Sequence, residues 1–407
     1  MICRFCKSKI SILFVDLGYA PPSNAYISQE NLKQPEITYP LRVFVCNKCW
    51  LVQTEDYAQA DEFFSPDYAY FSSTSVSWLD HAKVYVDMII DKLSLNKNSM
   101  VVEIASNDGY LLKNFINYRI PCLGIEPTIS TSEEAKKLGI DVIQEFFNYK
   151  LAKKLVSEDK QADLIIGNNV YAHVPDINEF TLSLKKILKA DGTITLEFAY
   201  ILSLIHENQF DTIYHEHFSY LSLIAVKSML NKVGLKVIDV EELTTHGGSL
   251  RIYACHDNDK RKPSAQIAKQ LRKEQEFGLN ELKTYSNFQL FADKIKNDFV
   301  HFLIDAKKND KLVVGYGAAA KGNTLLNFSG VKSDLLPFVC DLAPSKQSKF
   351  LPGSHIPIYP PDYLKKYNPD YILILPWNLS KEITRQLDFA RDWGAKFVRA
   401  IPELTII

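Results

Sequence analysis

The sequence predicts an α/β protein built from three units. Two Cys-x-x-Cys pairs stand near the N-terminus, and two strand–turn–helix–strand runs follow, one in the middle and one in the last third. At 407 residues the chain exceeds one ordinary domain. The expected units are 1–70, 71–257 and 258–407. With 46% hydrophobic and 23% charged residues it has the composition of a globular protein with sizeable cores. A net charge of −1 gives no general electrostatic case for binding nucleic acid or a membrane. The opening "MICRFCKSKISILF" is a poor signal peptide, because cysteines occupy its n-region and its apolar run is short. No apolar run reaches the ~18 residues of a membrane helix. The seven cysteines are read as reduced thiols of a cytoplasmic protein, which is expected to be a monomer.

Cys3 and Cys6 form one pair, Cys46 and Cys49 the other. Two such knuckles let four thiolates converge on a tetrahedral Zn²⁺. Four cysteines leave no open coordination position, so the zinc is structural. The long span between the pairs must carry structure of its own. Cys122, Cys255 and Cys340 lie in apolar runs and read as core residues.

In the middle unit, "SMVVEIASNDGYLLKNF" reads as an apolar strand, a small-residue turn and an amphipathic helix. "PCLGIEP" is a second strand, and its Glu126 follows Glu103 by about 20 residues, where doubly wound folds place an acid on a ribose. The turn Ala105-Ser106-Asn107-Asp108-Gly109 is not G-x-G-x-x-G, so it makes little case for a pyrophosphate cradle. Acids at the ends of both strands suit S-adenosylmethionine (SAM) better than NAD, because SAM has a ribose and an amino-acid tail but no phosphate. A Rossmann-like core without cofactor is the plainer alternative.

The later segments extend this pattern. "ADLIIGNNVYAHVPD" is a buried strand ending in a polar turn, which puts Asn168 and His173 at the ligand-binding edge of the sheet. "INEFTLSLKKILKADG" is a helix and "TITLEFAY" a strand. "VKSMLNKVGLKVIDVEEL" reads as helix then strand, and "GGSLRIYACH" as an alternating strand. About a dozen residues after "TITLEFAY" comes "TIYHEHFSYL", which crowds Tyr214, His215, Glu216, His217 and Tyr220 together. A surface loop, a metal site using His215 and His217, or an acid–base site could each use that stretch. His215 alone reads as structural or supporting.

"EIASNDGYLL", "NNVYAHVPD", "YHEHFSYLS", "HGGSLR" and "GYGAAAKGNTLLN", behind the Cys-x-x-Cys pairs, resemble the bacterial nucleotide-sugar C-methyltransferases over nearly the whole chain. The resemblance implies a zinc-binding N-terminal domain, a Rossmann-like SAM-dependent methyltransferase domain and a second Rossmann-like domain. It implies methyl transfer from SAM to carbon 3 of a 4-keto-deoxyhexose on a nucleoside diphosphate, dTDP first and GDP or CDP as alternatives. It assigns the base to His217, with Tyr214 and Glu216 lining the sugar site, and matches His173 and Tyr70 to positions near the sugar. Such a reaction needs a base for the C-3 hydrogen and a donor to the enolate oxygen, and imidazole titrates near neutrality.

The remaining substrate candidates are Tyr220, His246 and Arg251, the last two in "HGGSLR", whose paired glycines suggest close approach to a ligand. Arg251 reads equally well as the partner of a core carboxylate. Residues 258–310 form a charged helical connector with mostly solvated charges. Beyond it, "LVVGYGAAAKGNTLLNF" is a strand, a glycine turn and a helix, and Asp341 ends the next strand. Gly315, Gly317 and Gly322 make a degenerate dinucleotide fingerprint, with NAD its naive reading. The resemblance points instead to a domain that closes over the nucleotide sugar, with Gly317, Lys321 and Asn323 near the diphosphate or sugar. A helix N-terminus presents N–H groups to anions, and Lys321 in its first turn makes sense beside one; a solvated charge is the alternative. Competing functions are a sugar O- or N-methyltransferase, an NAD-dependent nucleotide-sugar enzyme and a non-catalytic zinc-containing binding protein.

Overall fold

The computed structural model describes residues 1–57 and 71–407. Three antiparallel strands open the chain: β1 (Ile12–Ala20), β2 (Tyr39–Val45) and β3 (Val52–Thr54). The helix Val76–Leu93 follows. The Ser75 side chain caps it by accepting the Trp78 N–H, and Trp78, Ala82, Tyr85, Val86 and Ile89 recur at helical spacing on its buried face.

The middle unit contributes β4 (Val101–Ile104), β5 (Cys122–Ile125), β6 (Asp141–Ile143), β7 (Ala162–Asn168) and β8 (Leu188–Ala199). The next strand, β9 (Ser219–Tyr220), leaves this sheet and pairs with β3, making the N-terminal sheet four-stranded. β10 (Leu235–Leu243) and β11 (Ser249–His256) return to the middle sheet, whose order is β10-β11-β8-β7-β4-β5-β6. β4 to β8 run parallel and β10 and β11 add an antiparallel edge. Chain order reverses on either side of β4, which opens a ligand crevice beyond the carboxyl ends of β4 and β7.

The last unit is a second doubly wound sheet of β12 (Val313–Tyr316), β13 (Val339–Cys340), β14 (Ile358–Tyr359), β15 (Tyr371–Ile374), β16 (Lys396–Arg399) and β17 (Thr405–Ile406). Its order is β14-β13-β12-β15-β16-β17, with only β17 antiparallel. Its reversal point lies at the end of β12, ahead of the helix Ala320–Phe328. One apolar cluster runs through all three units, from Cys3 to Ile401.

The connector is less solvated than its composition suggests. Phe288 stacks on Phe14 of β1 at 4.4 Å, and Tyr285 stacks on Trp50 at 6.5 Å, so the connector helices cover the N-terminal sheet. Glu274, one of the connector's charges, is fully buried. Its two oxygens accept the N–H groups of Leu223 (2.6 Å) and Ile224 (2.9 Å), at the start of the helix Leu223–Lys232. Burial raises the Glu274 carboxyl to about 7, against the lowering by those two N–H groups.

Glu274→Leu strands two buried donors and should cost about 1–3 kcal/mol in urea unfolding. Glu274 is raised above its usual 4.5, so its contribution is complete below that pH and is lost as pH rises through about 7. Glu274→Gln should flatten that loss.

Candidate active site

Each Cys-x-x-Cys turn ends in a left-handed residue, Lys7 (φ 62°) after Cys6 and Trp50 (φ 60°) after Cys49. The Lys7 N–H bonds the Cys3 carbonyl and the Trp50 N–H the Cys46 carbonyl, so the two knuckles match. They bring Cys3 Sγ to 3.5 Å from Cys49 Sγ and Cys6 Sγ to 3.5 Å from Cys46 Sγ. All four sulfurs lie within 4.8 Å of one another. A tetrahedron of 2.3 Å Zn–S bonds has edges of about 3.8 Å, so the quartet fits zinc. The Cys3 thiol is pulled down to about 4, chiefly by the hydrogen bond from Cys49, which favours a thiolate.

A cavity of about 480 Å³ lies in the crevice beyond β4 and β7, between the middle unit and the helix Ala320–Phe328. Ala105, Asn107, Glu126, Thr128 and Asn168 line one end. The turn after β4 is sharp, with Ala105 at φ 58°, Asn107 at 48° and Gly109 at 77°. Glu126 pins it by accepting the Asn107 N–H at 2.9 Å and the Thr128 N–H at 3.0 Å. Oε1 also accepts the Thr128 hydroxyl, which leaves Oε2 with lone-pair capacity for a ribose hydroxyl. Among the described residues, the buried Asn168 amide has no partner at either Oδ1 or Nδ2. Glu103 and Gly109 stand behind the turn, outside the cavity lining. A side chain at Gly109 would strike Ile140 at 2.4 Å, so packing demands that glycine. Glu103 is buried without a hydrogen-bond partner among the described residues; burial, then the charges of Asp108 and Glu126, raise it well above the usual carboxylate range. An acidic, hydrogen-bond-hungry end suits a cation bearing a ribose and an amino acid, so the residues fit SAM.

The histidines meet at the centre. His217 packs on Tyr214 at 3.9 Å between ring centroids and on His173 at 4.7 Å. All three line the cavity, as does Glu216. His217 Nδ1 lies 2.8 Å from the Thr212 carbonyl, which can only accept. Nδ1 therefore carries the hydrogen and Nε2 the lone pair. Burial, then His173, pulls His217 well below its usual 6.5, and burial pulls His173 to about 4, so both are neutral at pH 7. Glu216 Oε1 accepts from Asn24 at 2.7 Å. His215 turns away and donates to the Pro40 carbonyl at 3.2 Å, a structural role. Tyr220 is buried in β9, 6.0 Å from the His217 ring and outside the cavity lining. Tyr70 lies outside the described residues.

Lys321, Lys346 and the residues Ala319 and Ala320 line the far end. Lys321 Nζ donates to Asn378 Oδ1 at 2.8 Å and lies 4.7 Å over the Trp377 ring. Burial lowers its pKa, so its charge is not a solvated one. His246 lines the cavity in a left-handed conformation (φ 55°), with Nε2 2.9 Å from the Asn169 amide.

One open alternative is decided, for Arg251, and three expectations change. Arg251 is spent on Glu197 at 2.7 Å and stacks over Tyr85 at 4.4 Å, away from the cavity lining. A Cβ on Gly317 would strike Pro376 at 2.4 Å, so that glycine serves packing. Asn323 donates to the Ser23 carbonyl at 2.6 Å and tethers the N-terminal unit. The paired glycines Gly247 and Gly248 make room for Trp377 and Ser203 rather than for a ligand. Trp78, Lys346 and Asn24 were not anticipated at the site. Trp78 had a signal in its helical spacing; Asn24 and Lys346 sit in loops without any.

The fold and the cofactor end define a SAM-dependent methyltransferase. Family models match residues 3–64 ("Putative zinc binding domain"), 78–240 ("Methyltransferase domain") and 244–402 ("C-methyltransferase C-terminal domain"). The chain is 31% identical over 405 residues to the C-methyltransferase NovU of Streptomyces niveus, covering 100% of this chain and 96% of that protein. A SAM-dependent methyltransferase from Anabaena variabilis aligns at a TM-score of 0.40 and 16% identity over 49% of this chain and 96% of its own. A protein from Pyrococcus horikoshii aligns at 0.38 and 14% over 49% of this chain and all of its own. The chain belongs to the family of SAM-dependent C-methyltransferases that carry an N-terminal zinc-binding domain. Among the described residues, no helix is long and apolar enough to cross a membrane.

Metal analysis of the purified protein should find one zinc per chain, and Cys46→Ser should lose it together with thermal stability of the N-terminal unit. Zinc-free protein that melts like the zinc-loaded form would contradict this site.

Proposed function

We propose that this C-methyltransferase acts on a nucleoside-diphosphate 4-keto-deoxyhexose, adding the methyl group at C-3. We also propose 1–70, 71–257 and 258–407 as its working units. One observation carries the reading: a single cavity has acids at one end, lysines at the other and neutral His217 between them. SAM is cationic at its sulfonium, and a nucleoside diphosphate is anionic. The two ligands would enter a field that sorts them to opposite ends.

His217 Nε2 takes the C-3 proton, which the neighbouring ketone acidifies, and its Nδ1–H holds on to the Thr212 carbonyl. The imidazolium formed is then paired with the enolate. Tyr214 is assigned as donor to the enolate oxygen at C-4, where charge develops. Glu216, oriented by Asn24, accepts from a hydroxyl or amine of the sugar. His173 keeps water out beside His217. When bound, SAM supplies the electrophilic methyl: the carbon–carbon bond forms as the carbon–sulfur bond breaks, with its electron pair left on sulfur. Glu126 and Asn168 hold the ribose and amino-acid ends. Lys321, Lys346 and the N–H groups at the start of the helix Ala320–Phe328 hold the diphosphate. A dTDP sugar is favoured over GDP or CDP sugars.

Incubation with methyl-labelled SAM and a panel of dTDP-, GDP- and CDP-4-keto-deoxyhexoses should yield a product whose label sits on C-3. Label on oxygen or nitrogen would favour an O- or N-methyltransferase instead.

His217→Asn should lower turnover by roughly 10²–10⁴-fold, the usual value of a general base, and slow C-3 exchange with deuterium oxide equally. Because the base is active when neutral, the acid limb of the wild-type rate profile should lie below pH 6.5. Undiminished exchange in the variant would assign the base elsewhere.

The two ends should separate kinetically. Glu126→Ala should weaken SAM binding by about 1.5–3 kcal/mol in calorimetry, and Lys321→Ala should raise KM for the nucleotide sugar alone. A Lys321 variant that loses SAM instead would show that the ends are assigned in reverse.

A further inference from the structure

Arg4 lies inside the first zinc knuckle, between ligands Cys3 and Cys6, yet its side chain leaves the metal. It is 5% exposed. Its Nη1 donates to the Pro175 carbonyl at 3.0 Å, two residues after His173. Its Nη2 donates to the Thr54 carbonyl at 2.9 Å and to Asp56 Oδ1 at 2.8 Å. The guanidinium also sits 5.3 Å over the ring of Phe218, the neighbour of His217. One buried cation thus touches both histidine-bearing segments.

Gln53 completes the path. Its Nε2 donates to Cys3 Sγ at 3.3 Å, and its Oε1 accepts the Arg4 N–H at 2.8 Å. Its backbone pairs with Ser219 in the β3–β9 ladder. The next residue, Thr54, donates its hydroxyl to the His217 carbonyl at 3.1 Å, and its N–H bonds the Phe218 carbonyl. On the other side, the Asn178 amide donates to the carbonyls of Arg4 (2.8 Å) and Phe5 (3.1 Å), fixing the knuckle to the segment after His173.

We infer that the zinc knuckle sets the spacing of His173 and His217, with Arg4 and Gln53 as positioning residues for the base. A buried arginine with three oxygen acceptors is a rigid fork rather than a solubilising charge. A ligand cysteine that moved would move Gln53, then the strand on which His217 is registered. Two-residue β9 has no means of holding that register alone. The inference rests on His217 as the base, and its test separates the two ideas.

Arg4→Met keeps much of the volume and removes every hydrogen bond. Zinc content should stay at one per chain and SAM affinity within about 2-fold. C-3 deuterium exchange and kcat should fall at least 10-fold, and amide hydrogen exchange at 216–220 should rise at least 10-fold. Arg4→Lys, which can reach fewer carbonyls, should fall in between. The wild-type protein supplies an arm that survives misfolding of any variant. Chelating its zinc should raise amide exchange at 216–220 together with 1–10. Loss of protection confined to 1–54 would overturn the coupling, as would an Arg4→Met protein with wild-type amide protection and C-3 exchange. Loosening at 216–220 with undiminished C-3 exchange would uphold the tether and overturn His217 as the base.

Discussion

The ladder between Val52–Gln53 and Ser219–Tyr220 is the contact on which the arrangement of the site depends. It takes a segment of the methyltransferase unit and makes it the edge of the zinc-binding sheet. The segment is then gripped from every side. Thr54 and Asn24 hold it from the N-terminal unit, and Thr324 donates to the Ile213 carbonyl at 2.8 Å from the C-terminal unit. Trp377 donates to Asp211 at 2.7 Å from the same direction. The proposed base sits on a loop, which is precise only when rigid elements fix it, and here three units do so. The shared apolar core has the same consequence: the units cannot drift apart without opening the site.

Charge gives the cavity its direction. Burial, then the charges of Asp108 and Glu126, holds Glu103 well above the usual carboxylate range, while Lys321 faces the opposite end and is itself lowered by burial. The lysine end has carboxylates nearby: Lys346 Nζ lies 3.8 Å from Asp341, and the charge of buried Asp211 acts on Lys321. His217 stays neutral between the ends because burial and His173 both oppose its protonation. An anion formed beside it reverses that balance, which is the condition a proton acceptor needs.

Much of this was legible where a residue type states its own chemistry. Four cysteines in two knuckles announce a metal, an acid at the end of a second strand announces a ribose, and the crowded "YHEHFSY" marks a site. His217, Tyr214, His173, His246 and Lys321 do line the cavity. The misreadings share a physical cause: a residue's partner is chosen by the tertiary fold. Gly317 answers to Pro376 and Asn323 to Ser23, neither of them visible in local pattern. β9 was missed because two residues carry no periodicity, and its existence is owed to β3. Trp78, Lys346 and Asn24 reach the site from elements whose own spacing says only helix or loop.

The central claim is that His217 is a neutral imidazole held as the Nδ1–H tautomer, with its Nε2 lone pair facing the cavity. Nitrogen-15 NMR of histidine-labelled protein, with His217→Asn to assign the signal, reads this directly. The account predicts a protonated Nδ1, a bare Nε2 and no titration of His217 between pH 6.5 and 8. An imidazolium in that range, or a hydrogen on Nε2, would contradict it.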